Sequence, residues 1–212
     1  MMELQEERIS VERSQRVYKL NNEADENLIV FHGHGQLAKF FIKKFEFLNN
    51  NFNIIAPEGM HRYYLDGYSG RVGATWMTKE DRLTDIDEQI AFLNKVLEKN
   101  NLNPEKTRLI AFSQGIATCA RWIAAEKHLF KQLVFWAENS PPEIELEQDS
   151  NYWENLDLHY VFGNQDEFFS ETRVKALFES LDAKGFRMKT HIGDFKHEIE
   201  EEMLKEVLSL NK

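Results

Sequence analysis

Apolar residues in this chain occur in two alternating patterns. Short, mostly apolar runs, Leu28-Ile29-Val30-Phe31, Phe52-Asn53-Ile54-Ile55-Ala56, Leu109-Ile110-Ala111-Phe112, Leu133-Val134-Phe135-Trp136 and Leu158-His159-Tyr160-Val161-Phe162, read as strands, the continuous ones buried on both faces. Between them, apolar positions recur at helical spacing: Phe40, Phe41, Phe45 and Leu48; Ile86, Ile90, Leu93 and Leu97; Ile116, Cys119, Ala120 and Ile123. Val174, Leu177, Phe178 and Leu181 predict a further helix ended by Gly185, and Ile199, Met203, Leu204 and Val207 predict the last. An edge strand is expected over 14–20 and a final strand over 186–192. Strands alternating with helices imply an α/β fold: a mostly parallel central sheet with helices on both faces.

One stretch breaks the alternation. From Glu58 to Lys79 there is no clear period, but there are four glycines (Gly59, Gly67, Gly70, Gly73) and the aromatics Tyr63, Tyr64, Tyr68 and Trp76. Substrate-facing surface is expected in this excursion. At 212 residues the chain is read as one domain over 1–212, with 1–13 a flexible or loosely attached N-terminal segment. Hydrophobic residues are 42% of the chain and charged residues 29%, enough for a substantial core. The formal charge of −10 argues against nucleic acid and anionic membrane surfaces as partners. The single cysteine, Cys119, excludes an intrachain disulfide and falls on an apolar helix face, where a buried structural thiol is expected. No run is long enough to span a bilayer and no signal-like segment opens the chain, so a cytoplasmic protein is expected.

Candidate chemistry sits at the ends of the strands. Ser113 follows one apolar run directly, and Gln114-Gly115 opens a helix with no residues left for a loop. So short a passage forces a sharp turn at the serine, the geometry of a nucleophile elbow. The alternative for Ser113 is an ordinary helix N-cap. Downstream, Asp166 lies in the strand-end turn Gly163-Asn164-Gln165-Asp166, and His197 precedes the last helix. Serine needs a base to take its proton, and the base needs an acid to orient it, so Ser113, Asp166 and His197 form a candidate triad in the order nucleophile, acid, base. Glu167 competes for the acid role and His191 for the base, though His191 lies within a predicted strand. His32-Gly33-His34-Gly35 also follows a strand, and its glycines allow the His34 N–H to join that of Gln114 in an oxyanion hole. His-x-His could instead supply two metal ligands, but the sequence offers no convincing third, so neither metal nor organic cofactor is expected.

Taken together, Ile29-Val-Phe-His-Gly-His-Gly35, Ala56-Pro-Glu-Gly59, Gly73-Ala-Thr-Trp-Met77, Ala111-Phe-Ser-Gln-Gly115, Val161-Phe-Gly-Asn-Gln-Asp166 and His197-Glu-Ile199 resemble the phospholipase/carboxylesterase branch of the α/β-hydrolase superfamily, which includes acyl-protein thioesterases. The resemblance runs from about residue 28 to the end and implies an α/β-hydrolase fold without a large lid domain. It implies a serine hydrolase acting on small-molecule esters or thioesters through Ser113, Asp166 and His197, with His34 and Gln114 as backbone oxyanion donors. Trp76 and its neighbour Met77 are implied to line the acyl side of the cleft, with an ordinary core aromatic as the alternative for Trp76. A catalytically silent binder of a small acyl or hydrophobic ligand is the alternative function. Three positions depart from the family pattern: Ala111 for the first elbow glycine, Ile116 for a second small residue after the elbow, and Asp194-Phe195-Lys196 for the small residue before the histidine. Oligomeric state, acyl length and leaving group are not legible in the chain.

Overall fold

A computed structural model describes residues 4–21, 23–141, 144, 150–168, 171–183 and 188–210. A seven-stranded sheet runs through its centre, in the order β1-β3-β2-β6-β7-β8-β9. Its strands are β1 (Val17–Leu20), β2 (Glu26–Phe31), β3 (Phe52–Pro57), β6 (Thr107–Phe112), β7 (Gln132–Trp136), β8 (Leu158–Gly163) and β9 (Lys189–Gly193). Only β1 is antiparallel to its neighbour, pairing Val17 with Pro57 at the edge; β2, β3 and β6 to β9 are mutually parallel. The interior parallel strands are buried almost throughout, whereas β9, at the edge of the sheet, is largely exposed.

Alternate residues of these strands feed two cores. Ile29, Phe31, Leu109, Ala111, Leu133 and Phe135 face α2 (Arg82–Lys99), α3 (Gln114–Glu126) and α5 (Glu171–Ala183). Leu28, Val30, Ile110, Phe112, Val134 and Trp136 face α1 (Ala38–Phe41) and α6 (Glu201–Val207). The period of two along each strand thus divides one sheet between two apolar layers. Cys119 lies within the first core, fully buried, and burial pushes its thiol well above the ordinary range.

Three features differ from the pattern expected of the sequence. The helix expected through Phe40 to Leu48 is α for one turn only and continues as a 3-10 helix over Ile42–Leu48. Ile42, Phe45 and Leu48 are its buried residues, and a three-residue turn stacks that spacing on one stripe. The aperiodic excursion contains a hairpin, β4 (His61–Tyr64) paired antiparallel with β5 (Val72–Thr75). Gly73 and the adjacent Tyr63 and Tyr64 conceal its alternation. A short helix, α4 (Ser150–Glu154), precedes β8. Gly185 and residues 186–187, expected at the end of α5 and the start of β9, lie outside the described residues.

Residues 4–16 lie along the surface without regular structure. Arg8 pairs with Asp81 at 2.9 Å, and Arg13 donates to the carbonyl of Met60. Among the described residues no helix is long and apolar enough to cross a membrane.

Candidate active site

Ser113 is the only residue between the end of β6 and the first residue of α3. Its backbone sits at φ 51° and ψ −126°, a conformation that non-glycine residues rarely adopt and that costs strain. Neighbouring groups hold it there: the Ser113 N–H donates to the Trp136 carbonyl at 2.9 Å, and its own carbonyl accepts from the Ile116 N–H at 2.9 Å. The Ser113 hydroxyl does not cap the helix, so the N-cap alternative fails on geometry. Gly115 explains why the elbow needs a small residue behind it. A β-carbon there would lie 2.8 Å from the carbonyl oxygens of Phe31 and His32. Ala111, by contrast, is an interior β6 residue paired with Phe31 and Phe135, where a methyl group simply fills the core.

Asp166 and His197 come from the ends of β8 and β9, neighbouring parallel strands. His197 Nδ1 lies 2.7 Å from Asp166 Oδ2, and Asp166 Oδ1 accepts from the Phe168 N–H at 2.8 Å. Since the carboxylate accepts, His197 carries its proton on Nδ1 and leaves the Nε2 lone pair open. The loops that bear them are laced together: Asn164 N–H donates to Gly193 O, and Gln165 N–H to Phe195 O. Gly163 permits that approach, because a β-carbon on it would overlap the Phe195 carbonyl oxygen. Trp136 Nε1 donates to Glu198 O at 2.8 Å and ties the histidine loop back to β7.

The imidazole of His197 packs on Phe112, the residue before Ser113, with ring centroids 4.9 Å apart. Phe168 packs edge-on against it at 4.8 Å. Among the described residues no hydrogen bond joins Ser113 to His197. Such a contact is often loose before substrate binds. Glu167 is exposed beside the buried Asp166, and His191 is held within β9, where its Nε2 lies 3.0 Å from His159 Nδ1.

The loop after β2 lies against the elbow. A β-carbon on Gly33 would meet Ser113 Cβ at 3.3 Å. Gly35 N–H donates to Ala74 O at 2.8 Å, whereas the N–H groups of His34 and Gln114 have no acceptor among the described residues. Two donors are therefore free next to the serine, one at the end of β2 and one at the first turn of α3.

His32 and His34 point to different tasks. His32 is fully buried; its Nε2 accepts the Gly59 N–H at 2.9 Å and its Nδ1 lies 2.8 Å from Gly33 O. Burial lowers its pKa to about 4, so the ring is neutral and both nitrogens are occupied by backbone groups. That leaves no lone pair for a metal, and among the described residues no three metal-ligating side chains cluster. Trp76, expected at the cleft wall, has no exposed surface. It stacks on His32 at 4.8 Å and donates from Nε1 to His32 O at 2.8 Å, bracing the loop from behind. Met77 is half-buried beside Arg121. Phe168, which the sequence reading passed over, covers the open side of His197; only its adjacency to Asp166 could have marked it.

A parallel sheet with an antiparallel edge strand, helices on both faces and a serine elbow at its carboxyl edge defines an α/β-hydrolase fold. Solved structures agree. Esterase PE8 superposes with a TM-score of 0.70 at 18% identity over 94% of this chain and 98% of that one. Zea mays acyl-protein thioesterase 2 gives 0.71 at 18% over 93% and 97%, and the Bacillus cereus carboxylesterase 0.62 at 12% over 92% and 92%. No curated protein matches the chain by sequence. The model of the serine hydrolase (FSH1) family matches residues 22–198, and the chain belongs to that family. It is a hydrolase.

Proposed function

We propose that the protein cleaves carboxylic esters or thioesters of small molecules through Ser113, His197 and Asp166 by way of an acyl-enzyme. The observation that carries this reading is the His197 Nδ1 to Asp166 Oδ2 bond of 2.7 Å, set beside the strained, uncapped serine at the end of β6. In the proposed cycle, His197 Nε2 takes the Ser113 proton as Oγ attacks the acyl carbonyl. The tetrahedral oxyanion accepts from the N–H groups of His34 and Gln114. As it collapses, His197 gives its proton to the leaving oxygen or sulfur, and the acyl group stays on Ser113. Water then attacks that ester with His197 again as base, releasing the acid and restoring the serine. Asp166 keeps the proton on Nδ1 and stabilises the imidazolium. The cycle needs no metal or organic cofactor.

Substituting Ser113→Ala tests it on p-nitrophenyl acetate and butyrate. Turnover is expected to fall by about 10⁴-fold or more, as for loss of a serine nucleophile generally. Retained turnover removes Ser113 from the mechanism.

A further inference from the structure

The side chains of the two residues that offer free N–H groups to the oxyanion are joined by a continuous hydrogen-bond chain through the β4–β5 hairpin. Tyr63 OH lies 2.6 Å from His34 Nε2, His34 Nδ1 lies 3.1 Å from Thr75 Oγ1, and Thr75 Oγ1 lies 2.9 Å from Gln114 Oε1. Gln114 Nε2 closes the chain on Met77 O at 3.1 Å.

Every proton in this chain can be assigned. The Trp76 backbone N–H points at Gln114 Oε1 from 3.2 Å, so that atom must be the amide oxygen. Because Oε1 only accepts, the Thr75 hydroxyl spends its one proton on it at 2.9 Å, the shorter of its two acceptor contacts, rather than on Met77 O at 3.1 Å. The hydroxyl therefore accepts from His34, which places the imidazole proton on Nδ1. Nε2 is then an acceptor, and the Tyr63 phenol donates to it. Burial pushes that phenol above its ordinary pKa, so it keeps the proton it donates. The direction is uniform from Tyr63 to Gln114, with no donor facing a donor.

The chain crosses three separate parts of the fold. His34 belongs to the loop after β2, Thr75 ends β5, and Gln114 opens α3. Backbone bonds reinforce it: Gly35 N–H to Ala74 O at 2.8 Å and Ala74 N–H to Gln36 O at 3.3 Å set β5 alongside the oxyanion loop. The Tyr63 ring also packs on His34, with centroids 5.5 Å apart. Oxyanion donors act only when held where charge develops, and a small displacement of one sacrifices much of its effect. Resting on the proposed hydrolase mechanism, we infer that Tyr63 and Thr75 are positioning residues that lock His34 and Gln114 together, so that both N–H groups face the tetrahedral oxyanion.

Three variants test this with short p-nitrophenyl esters and an alkyl trifluoromethyl ketone, whose serine adduct carries the oxyanion. Tyr63→Phe keeps the ring and removes only the donor at the half-buried end of the chain. It is expected to lower kcat about tenfold with KM unchanged, a fraction of the 10²–10³ lost when a whole oxyanion donor is removed. Affinity for the trifluoromethyl ketone should weaken by the same factor, and the thermal midpoint should stay at the wild-type value. Thr75→Val, which breaks the chain at its centre, is expected to lose more kcat, and Thr75→Ser to restore most of it. The inference is overturned if Tyr63→Phe retains wild-type kcat and inhibitor affinity, or if its only effect is on KM. A wild-type protein that hydrolyses none of these esters and does not bind the ketone instead overturns the hydrolase reading beneath it.

Discussion

Asp166 and Glu167 are adjacent acids in unlike surroundings. Asp166 is 6% exposed, with one oxygen on His197 and the other on the Phe168 N–H, whereas Glu167 faces solvent. On the proposed mechanism, Asp166→Asn lowers kcat by about 10³–10⁴-fold by favouring the wrong imidazole tautomer. Glu167→Gln should leave kcat within about twofold, and steady-state ester hydrolysis by the two variants checks both. His32 makes a different prediction. Its pKa falls from 6.5 in the unfolded chain to about 4 in the fold, so at lower pH the unfolded state binds a proton that the native state refuses. The stability it preserves is complete above pH 6.5 and declines as pH drops towards 4, by about 3 kcal/mol at 1.36 kcal/mol per unit. Burial also depresses His159 and His191, which act in the same direction. Urea midpoints at pH 7 and pH 4.5 should show the drop, and a His32→Asn variant should show a shallower one.

Among the elements, the β8 and β9 ends do the most to shape the site, because Gly163 lets Phe195 O approach the strand directly. Gly163→Ala is expected to cost about 3 kcal/mol, at the upper end for a single substitution, and to part Asp166 from His197. Chemical denaturation read beside esterase activity would show both losses together. The parallel strands and the main helices were legible because burial on two faces leaves continuous apolar runs, and burial on one leaves a helical stripe. Strand-end placement likewise made Ser113, Asp166 and His197 legible as candidates. The β4–β5 hairpin was not, since Gly73 and flanking aromatics erase the period of two. For the same reason the roles of Thr75 and Tyr63 were not legible, although both fall in stretches the sequence marks: they reach His34 and Gln114 only through pairing that the local pattern does not announce. Trp76 was legible as either a cleft-wall or a core aromatic, because an aromatic after a strand reads alike in both settings, and the structure buries it behind the loop.

At the scale of the molecule, one sheet brings chemistry from distant parts of the chain to a single edge. β2, β6, β8 and β9 run parallel, so the segments that follow each of them emerge on the same side. The loop with His34, the elbow with Ser113 and the turn with Asp166 are thereby placed next to the loop with His197. The central claim is that Ser113 is a nucleophile activated by its neighbours. Labelling with a fluorophosphonate, followed by intact mass and peptide mapping, tests it most directly. The account predicts one adduct per chain on Ser113, abolished in Ser113→Ala and strongly slowed in His197→Ala. No adduct, or an adduct on another residue, would contradict it.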